Sequence, residues 1–188
     1  MSILPIVTYN DPLLRQKTKE LQENSDELQQ LISDMFETMY NSNGVGLAAP
    51  QVGLLHRLFV MDADVITEEL DEPDRGPKVF INPVILETSP EKVKMEEGCL
   101  SIPDVRDDVK RPVDIKVQYL DRDFESHTED FGGWVSRIIQ HEFDHLDGVL
   151  FLDYLSGFRT RLHRSALKKI ENGEMPTEYP LVSKMSKA

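Results

Sequence analysis

Cysteine is almost absent: Cys99 is the only one in 188 residues, so no internal disulfide can form and a cross-linked secreted scaffold is excluded. No apolar run approaches the roughly 18 residues that a membrane-spanning helix needs. The opening Met-Ser-Ile-Leu-Pro-Ile-Val has neither a basic region nor a small-residue cleavage site. Positive charge is scarce as well. With 21 Lys and Arg against 34 Asp and Glu the formal charge is −13, which excludes wrapping a nucleic acid with the whole surface. Neither an internal repeat nor a low-complexity tract is found. These absences predict a soluble cytosolic protein with neither membrane nor DNA as a partner.

What is present suffices for a core, since 39% of the residues are hydrophobic. We expect one catalytic domain over residues 1–170 and a C-terminal tail over 171–188. Charge is uneven: from Gly157 onward seven basic residues stand against three acidic ones, a balance of +4, which leaves −17 for the rest. The basic stretch reads either as a docking element for RNA or as an ordinary solvated helix face.

The first helix announces itself by caps at Asn24 and Ser25 and by Leu28, Leu31, Ile32, Met35, Phe36 and Met39 at a 3.6-residue period, with an end near Asn43-Gly44. Short β-type runs follow at Leu58–Met61, 79–81, 84–86 and 92–95, then an alternating run over 113–119 and a hairpin tip at Asp121-Arg-Asp. Residues 62–77 are acidic and turn-rich and predict an exposed loop. Over Gly133–Leu146 apolar residues are spread around most of the circumference, which predicts a buried helix that stops at Asp147-Gly148. A third helix is expected over 154–170, with Leu155, Phe158, Leu162 and Ile170 as its apolar stripe. Strands and helices without βαβ alternation predict an α+β fold: antiparallel β-sheets packed around the central buried helix, with a C-terminal helix.

That central helix carries His141-Glu142-Phe143-Asp144-His145, an H-E-x-x-H pentad. Residues four apart share a helical face, so two imidazoles can meet one ion with the glutamate beside it. Two core histidines satisfied by hydrogen bonds are the plainer alternative, but burying two imidazoles and a carboxylate without a shared purpose is costly. A third ligand has to come from elsewhere. The elongated metalloprotease pattern fails at its last position, where Phe151 stands, and Glu171 falls at the polar end of the basic helix. Cys99, in Glu97-Gly98-Cys99-Leu100-Ser101 after an expected strand, is the better donor. Three protein ligands leave a position for water, and a bound ion can bring the pKa of that water from about 15.7 towards 7. Glu142 is placed to take its proton, which points to hydrolysis of an amide or ester. Gly44-Val-Gly-Leu-Ala-Ala-Pro-Gln51 lets backbone come close to a ligand and offers the Gln51 amide as an oxyanion donor.

Together, Gly44-Val-Gly-Leu-Ala-Ala-Pro-Gln51, Glu97-Gly-Cys-Leu-Ser101 and Gln140-His-Glu-Phe-Asp-His145 resemble the three signature motifs of bacterial-type peptide deformylases, in that family's order. The resemblance implies removal of the formyl group from the N-terminal formylmethionine of nascent polypeptides, with release of formate. It also implies Cys99, His141 and His145 as metal ligands, Glu142 as base and acid, and Gln51 with the backbone N–H of Leu100 as oxyanion donors. Fe(II) is the implied native metal, with Ni, Co or Zn as substitutes. The substrate would lie as an added strand along backbone groups of Val45, Gly46 and Gly98. We further expect Val45 and Ile138 to line the methionine pocket, Arg106 to contact the peptide, Arg111 to pair with Glu97, and the basic C-terminal helix to offer a ribosome contact. Two rivals remain at this stage: a general zinc metalloprotease whose third ligand is not Cys99, and a metal-stabilised or ribosome-binding protein without turnover.

Overall fold

The run Leu58-Phe-Val-Met61 is apolar without alternation, and the computed structural model shows why: its strand is covered on both faces. Residues 2–64 and 75–182 are described here, so most of the acidic 62–77 segment lies outside the described residues. In chain order the elements are β1 (Ile6–Val7), α1 (Asp26–Asn41), β2 (Gly46–Ala48), β3 (Leu58–Met61), β4 (Lys78–Thr88), β5 (Lys92–Cys99), β6 (Ile102–Pro112), β7 (Ile115–Leu120), β8 (Ser126–Phe131), α2 (Gly133–Leu146), α3 (Gly157–Leu162), α4 (Arg164–Glu171) and β9 (Leu181–Val182). Strands β2-β3-β4-β7-β8 form one antiparallel sheet, β5 and β6 a separate hairpin, and β1 pairs with β9 in parallel.

Helix α1 begins where Ser25 Oγ accepts from Leu28 N at 3.2 Å, and it lays Leu28, Ile32, Met35 and Met39 on one face of the sheet. Leu47, Leu58, Val60 and Ile81 meet it there. The other face, with Ala48, Phe59, Met61, Phe80, Val117 and Phe131, receives Val135, Ile138, Ile139 and Leu146 of α2. Successive residues of β3 therefore alternate between two cores, as side chains on a pleated strand must. The hairpin covers the opposite side of α2 through polar contacts: Arg137 donates to the carbonyls of Val109 (3.0 Å) and Val93 (2.8 Å). Helix α2 is thus enclosed and positions its pentad inside the protein. Gly148 supplies its stop with φ +75, and a Cβ there would stand 2.7 Å from the Arg15 carbonyl carbon.

Several expectations are corrected. The runs 79–81 and 84–86 belong to one strand, β4, bent by a register shift between Ile81 and Val84 where Asn82 has φ 49. The strand expected over 92–95 continues to Cys99, and that expected over 113–119 begins at Ile115. Strand β6 was not foreseen, because its inward positions Val105, Asp107, Val109 and Arg111 include two charged residues that hide the alternation. Strand β8 likewise has a single large apolar residue, Phe131.

The single helix expected over 154–170 is instead a 3-10 turn, Phe151–Tyr154, followed by α3 and α4, which break at His163. There the buried Asp107 of β6 accepts from His163 Nε2 at 2.8 Å and pairs with Arg159. The break resets the helical phase. Leu167 and Ile170 are buried, whereas Phe158 and Leu162 of the expected stripe are 70% and 64% exposed. Residues 171–182 return to the domain, where Leu181–Val182 pair with β1 and Tyr179 packs against the α1 side of the core.

Candidate active site

His141 and His145 sit one turn apart on the enclosed face of α2, with ring centroids 5.1 Å apart. Cys99 ends β5 at the reversal of the hairpin, and its Sγ lies 3.4 Å from His145 Nε2. One ligand atom from each of Cys99, His141 and His145 falls within 4.8 Å of the others. Between the histidines Glu142 is buried, and among the described residues its Oε2 has no hydrogen-bond partner. Burial pushes its carboxyl up to about 7. An unsatisfied buried carboxylate oxygen beside a thiol and two imidazoles is a costly arrangement on its own, and it fits a site completed by a cation and water.

The charges around this group are arranged in depth. Glu97, two residues before the cysteine, accepts from His141 Nδ1 at 2.9 Å, which leaves Nε2 of that ring for the site. The same carboxylate takes two bonds from Arg111, at 2.6 and 2.9 Å, and one from Arg137 at 2.7 Å. Burial alone would raise the Glu97 pKa, but the bonds from His141 and Arg111 outweigh it and hold the carboxyl well below the usual range. Arg111 also reaches Asp144 at 2.6 Å. The expected Arg111–Glu97 pair is therefore present, as part of a larger network joining β5, β6 and α2.

On the other wall, Gln51 accepts from Ala48 N at 2.8 Å, which turns its Nε2 towards Cys99 Sγ at 3.5 Å and Ser101 Oγ at 3.4 Å. Gly46 passes directly over Glu142: a Cβ there would stand 2.5 Å from Oε1 and 2.8 Å from Cγ. A methyl group at 46 therefore has to displace the carboxylate. Gly46→Ala is expected to lower kcat by about 10²-fold through that misplacement, with a circular dichroism spectrum like that of the wild type.

A cavity of about 1040 Å³ opens onto this group. Val45, Gly46, Gln51, Gly98, Cys99, Leu100, Arg106, Ile138, His141 and Glu142 all line it, so the residues singled out on sequence converge on one cleft. His145 stands behind them, 1% exposed. Strand β2 is an edge of the main sheet and faces the cleft, and the Arg106 side chain at the mouth is 70% exposed, 3.9 Å from Glu96. Glu171, the weaker metal-ligand option, instead accepts from the Tyr9 hydroxyl on the basic-helix side.

Sequence reasoning missed Arg137 and Asp144 of the buried network and Trp134 and Tyr179, which also line the cleft. Arg137 carried a usable signal, being a cation four residues before His141 on a helix otherwise read as buried, which implies a buried anion to meet it. Tyr179 had none: it lies in the stretch set apart as a tail.

Fold and site together define a class, an α+β protein whose buried Cys-His-His group could hold a metal ion beside a carboxylate. The family model for polypeptide deformylase matches residues 3–161. The peptide deformylase of Salinibacter ruber is 53% identical over 186 residues, covering 97% of this chain and 95% of that one. Among solved structures, peptide deformylase from Ehrlichia chaffeensis in complex with actinonin is 42% identical with a TM-score of 0.84, over 94% of this chain and 100% of that one. The enzyme from Thermus thermophilus is 36% identical with a TM-score of 0.81, over 91% and 99%. The chain belongs to the peptide deformylase family, metal-dependent hydrolases that remove the N-formyl group from nascent polypeptides. No helix among the described residues is long and apolar enough to cross a membrane.

Proposed function

We propose that deformylation in this protein is carried out by Glu142, Gln51 and the backbone N–H of Leu100 around one divalent cation held by Cys99, His141 and His145. The observation that carries this reading is the convergence of those three donors within 4.8 Å beside the buried, unpartnered oxygen of Glu142. Fe(II) is our reading of the native metal, with Ni, Co or Zn able to replace it, since thiolate and imidazole suit all of these ions. When bound, such an ion polarises the formyl carbonyl and makes water nucleophilic near neutral pH.

The chain's own groups do the rest. Glu142 accepts the proton of the attacking water and delivers it to the methionine nitrogen as the C–N bond breaks. Gln51 Nε2, already aimed by the Ala48 N–H, and Leu100 N–H donate to the oxygen that gains charge. The peptide pairs as a strand with backbone groups of Val45, Gly46 and Gly98, its methionine side chain lies against Val45 and Ile138, and Arg106 meets the chain beyond. The domain that does this includes residues 1–170. The cytosol and the ribosome suit such a substrate, and the exposed Arg161, Arg164, Lys168 and Lys169 of α3 and α4 support a contact with ribosomal RNA.

The test is formate release from a formyl-Met peptide by protein purified without oxygen and loaded with Fe(II) or Ni(II), beside Gln51→Ala. We expect turnover by the wild type and a fall of about 10²–10³ in kcat for the variant, the usual effect of one lost oxyanion donor. Bound metal without formate release would overturn the reading.

A further inference from the structure

Residues 171–182 do more than close the domain. Tyr179 reaches from the C-terminal segment into the cleft and donates its hydroxyl to the Leu100 carbonyl at 2.8 Å. Its place is fixed on both sides. Ile6 N donates to Pro180 O at 2.9 Å, Thr8 N donates to Val182 O at 3.2 Å, and Thr177 Oγ1 donates to Tyr179 O at 2.7 Å.

What it holds is the turn of the hairpin beside Cys99. Cys99 and Ile102 face one another across the two-residue turn Leu100-Ser101, after a register shift at Gly98. Two-residue hairpin turns normally have a positive φ at one or both central positions, and neither Leu100 nor Ser101 has one. Such a turn matches the twist of its strands poorly, and its carbonyls accept bonds from outside it: Ser101 O from Tyr9 N at 2.9 Å, Leu100 O from the Tyr179 hydroxyl. The torsions of Leu100 are set by the peptides on either side of it, so a carbonyl free to rotate also loosens its N–H.

We propose that Tyr179 is a positioning residue for deformylation, which holds the Leu100 carbonyl and thereby aims Leu100 N–H at the oxygen that gains charge. The inference rests on the reading of Leu100 N–H as an oxyanion donor. It makes the C-terminal segment part of the active site, although that segment carries none of the signature motifs.

Tyr179→Phe in the full-length, Ni(II)-loaded protein tests it, because the ring keeps its packing and only the hydroxyl is lost. An oxyanion donor removed outright costs about 10²–10³ in rate, and one merely loosened is expected to cost about 10-fold. The fall should lie in kcat, with KM within about twofold, because the interaction forms only in the transition state. Metal content should be unchanged, and amide hydrogen exchange should quicken over residues 99–102. A kcat within about twofold of wild type overturns the proposal, as does a rise in KM alone or a fall in kcat that tracks lost metal. Should Tyr179→Phe prove insoluble, Tyr179→Met removes the same hydroxyl and is read in the same way. The two readings fail separately: metal-loaded wild type that releases no formate would sink the proposed function, whereas wild-type turnover with an unchanged kcat in Tyr179→Phe would sink only the positioning role of Tyr179.

Discussion

Replacing Glu142 with alanine is expected to lower kcat on a formyl-Met peptide by about 10²–10⁴, the range that a positioned general base supplies. The reason is positional as well as chemical. Two neighbouring carboxylates are already engaged: Glu97 is tied to His141, Arg111 and Arg137, and Asp144 to Arg111. Removing Glu142 therefore takes away a carboxylate that neither Glu97 nor Asp144 is free to replace in taking the proton of water or returning it to the leaving nitrogen. The three donors of Cys99, His141 and His145 are untouched, so metal analysis should give the wild-type stoichiometry. A variant that binds metal and keeps more than about a tenth of wild-type kcat would show that another group moves the proton.

Arg111→Ala should have the largest effect on stability, about 3 kcal/mol, towards the lower end of what breaking a buried ion pair costs. Arg111 is 3% exposed and joins Glu97 of β5 to Asp144 of α2 from its place on β6. Without it, Asp144 loses that cation and Glu97 keeps only Arg137 and His141, which is why the lower end is expected. The bond that His141 Nδ1 donates to Glu97 fixes the ring that faces the site, so metal content should fall together with the urea midpoint. The pH dependence has a definite sign. The Glu97 carboxyl is held below its unfolded value, so its stabilisation is present at neutral pH and is lost as pH falls through its folded pKa. The difference between wild type and Arg111→Ala should therefore be widest near pH 7 and narrow in strong acid. Unchanged metal content and activity would mean that Arg137 alone holds the cysteine loop.

Much of the fold is legible where apolar spacing does the work. The period of α1, the all-round apolar α2 with its Gly148 stop, and the doubly buried β3 follow from side-chain pattern alone. Strand β6 was illegible for the opposite reason: Asp107 and Arg111 occupy inward positions because they meet His163, Arg159, Glu97 and Asp144, and those partners belong to other elements. The break at His163 belongs to the same category, since what interrupts the helix is an aspartate on another element. The donor residues stood out because chemistry constrains their types and because two of them share one helix face.

The sequence by itself determined which groups are available: one cysteine, an H-E-x-x-H pentad on a helix too apolar to lie on the surface, and a glycine-rich segment ending in Gln51. Those features suffice for the class of chemistry, because helical spacing alone aligns His141 with His145. Only the tertiary structure decided that Cys99 lies within 4.8 Å of both histidines, that Glu97 accepts from His141, that Gly46 passes over Glu142, and that Tyr179 reaches the Leu100 carbonyl. Each of those contacts joins residues more than 40 positions apart, and local periodicity carries no information about where such partners meet.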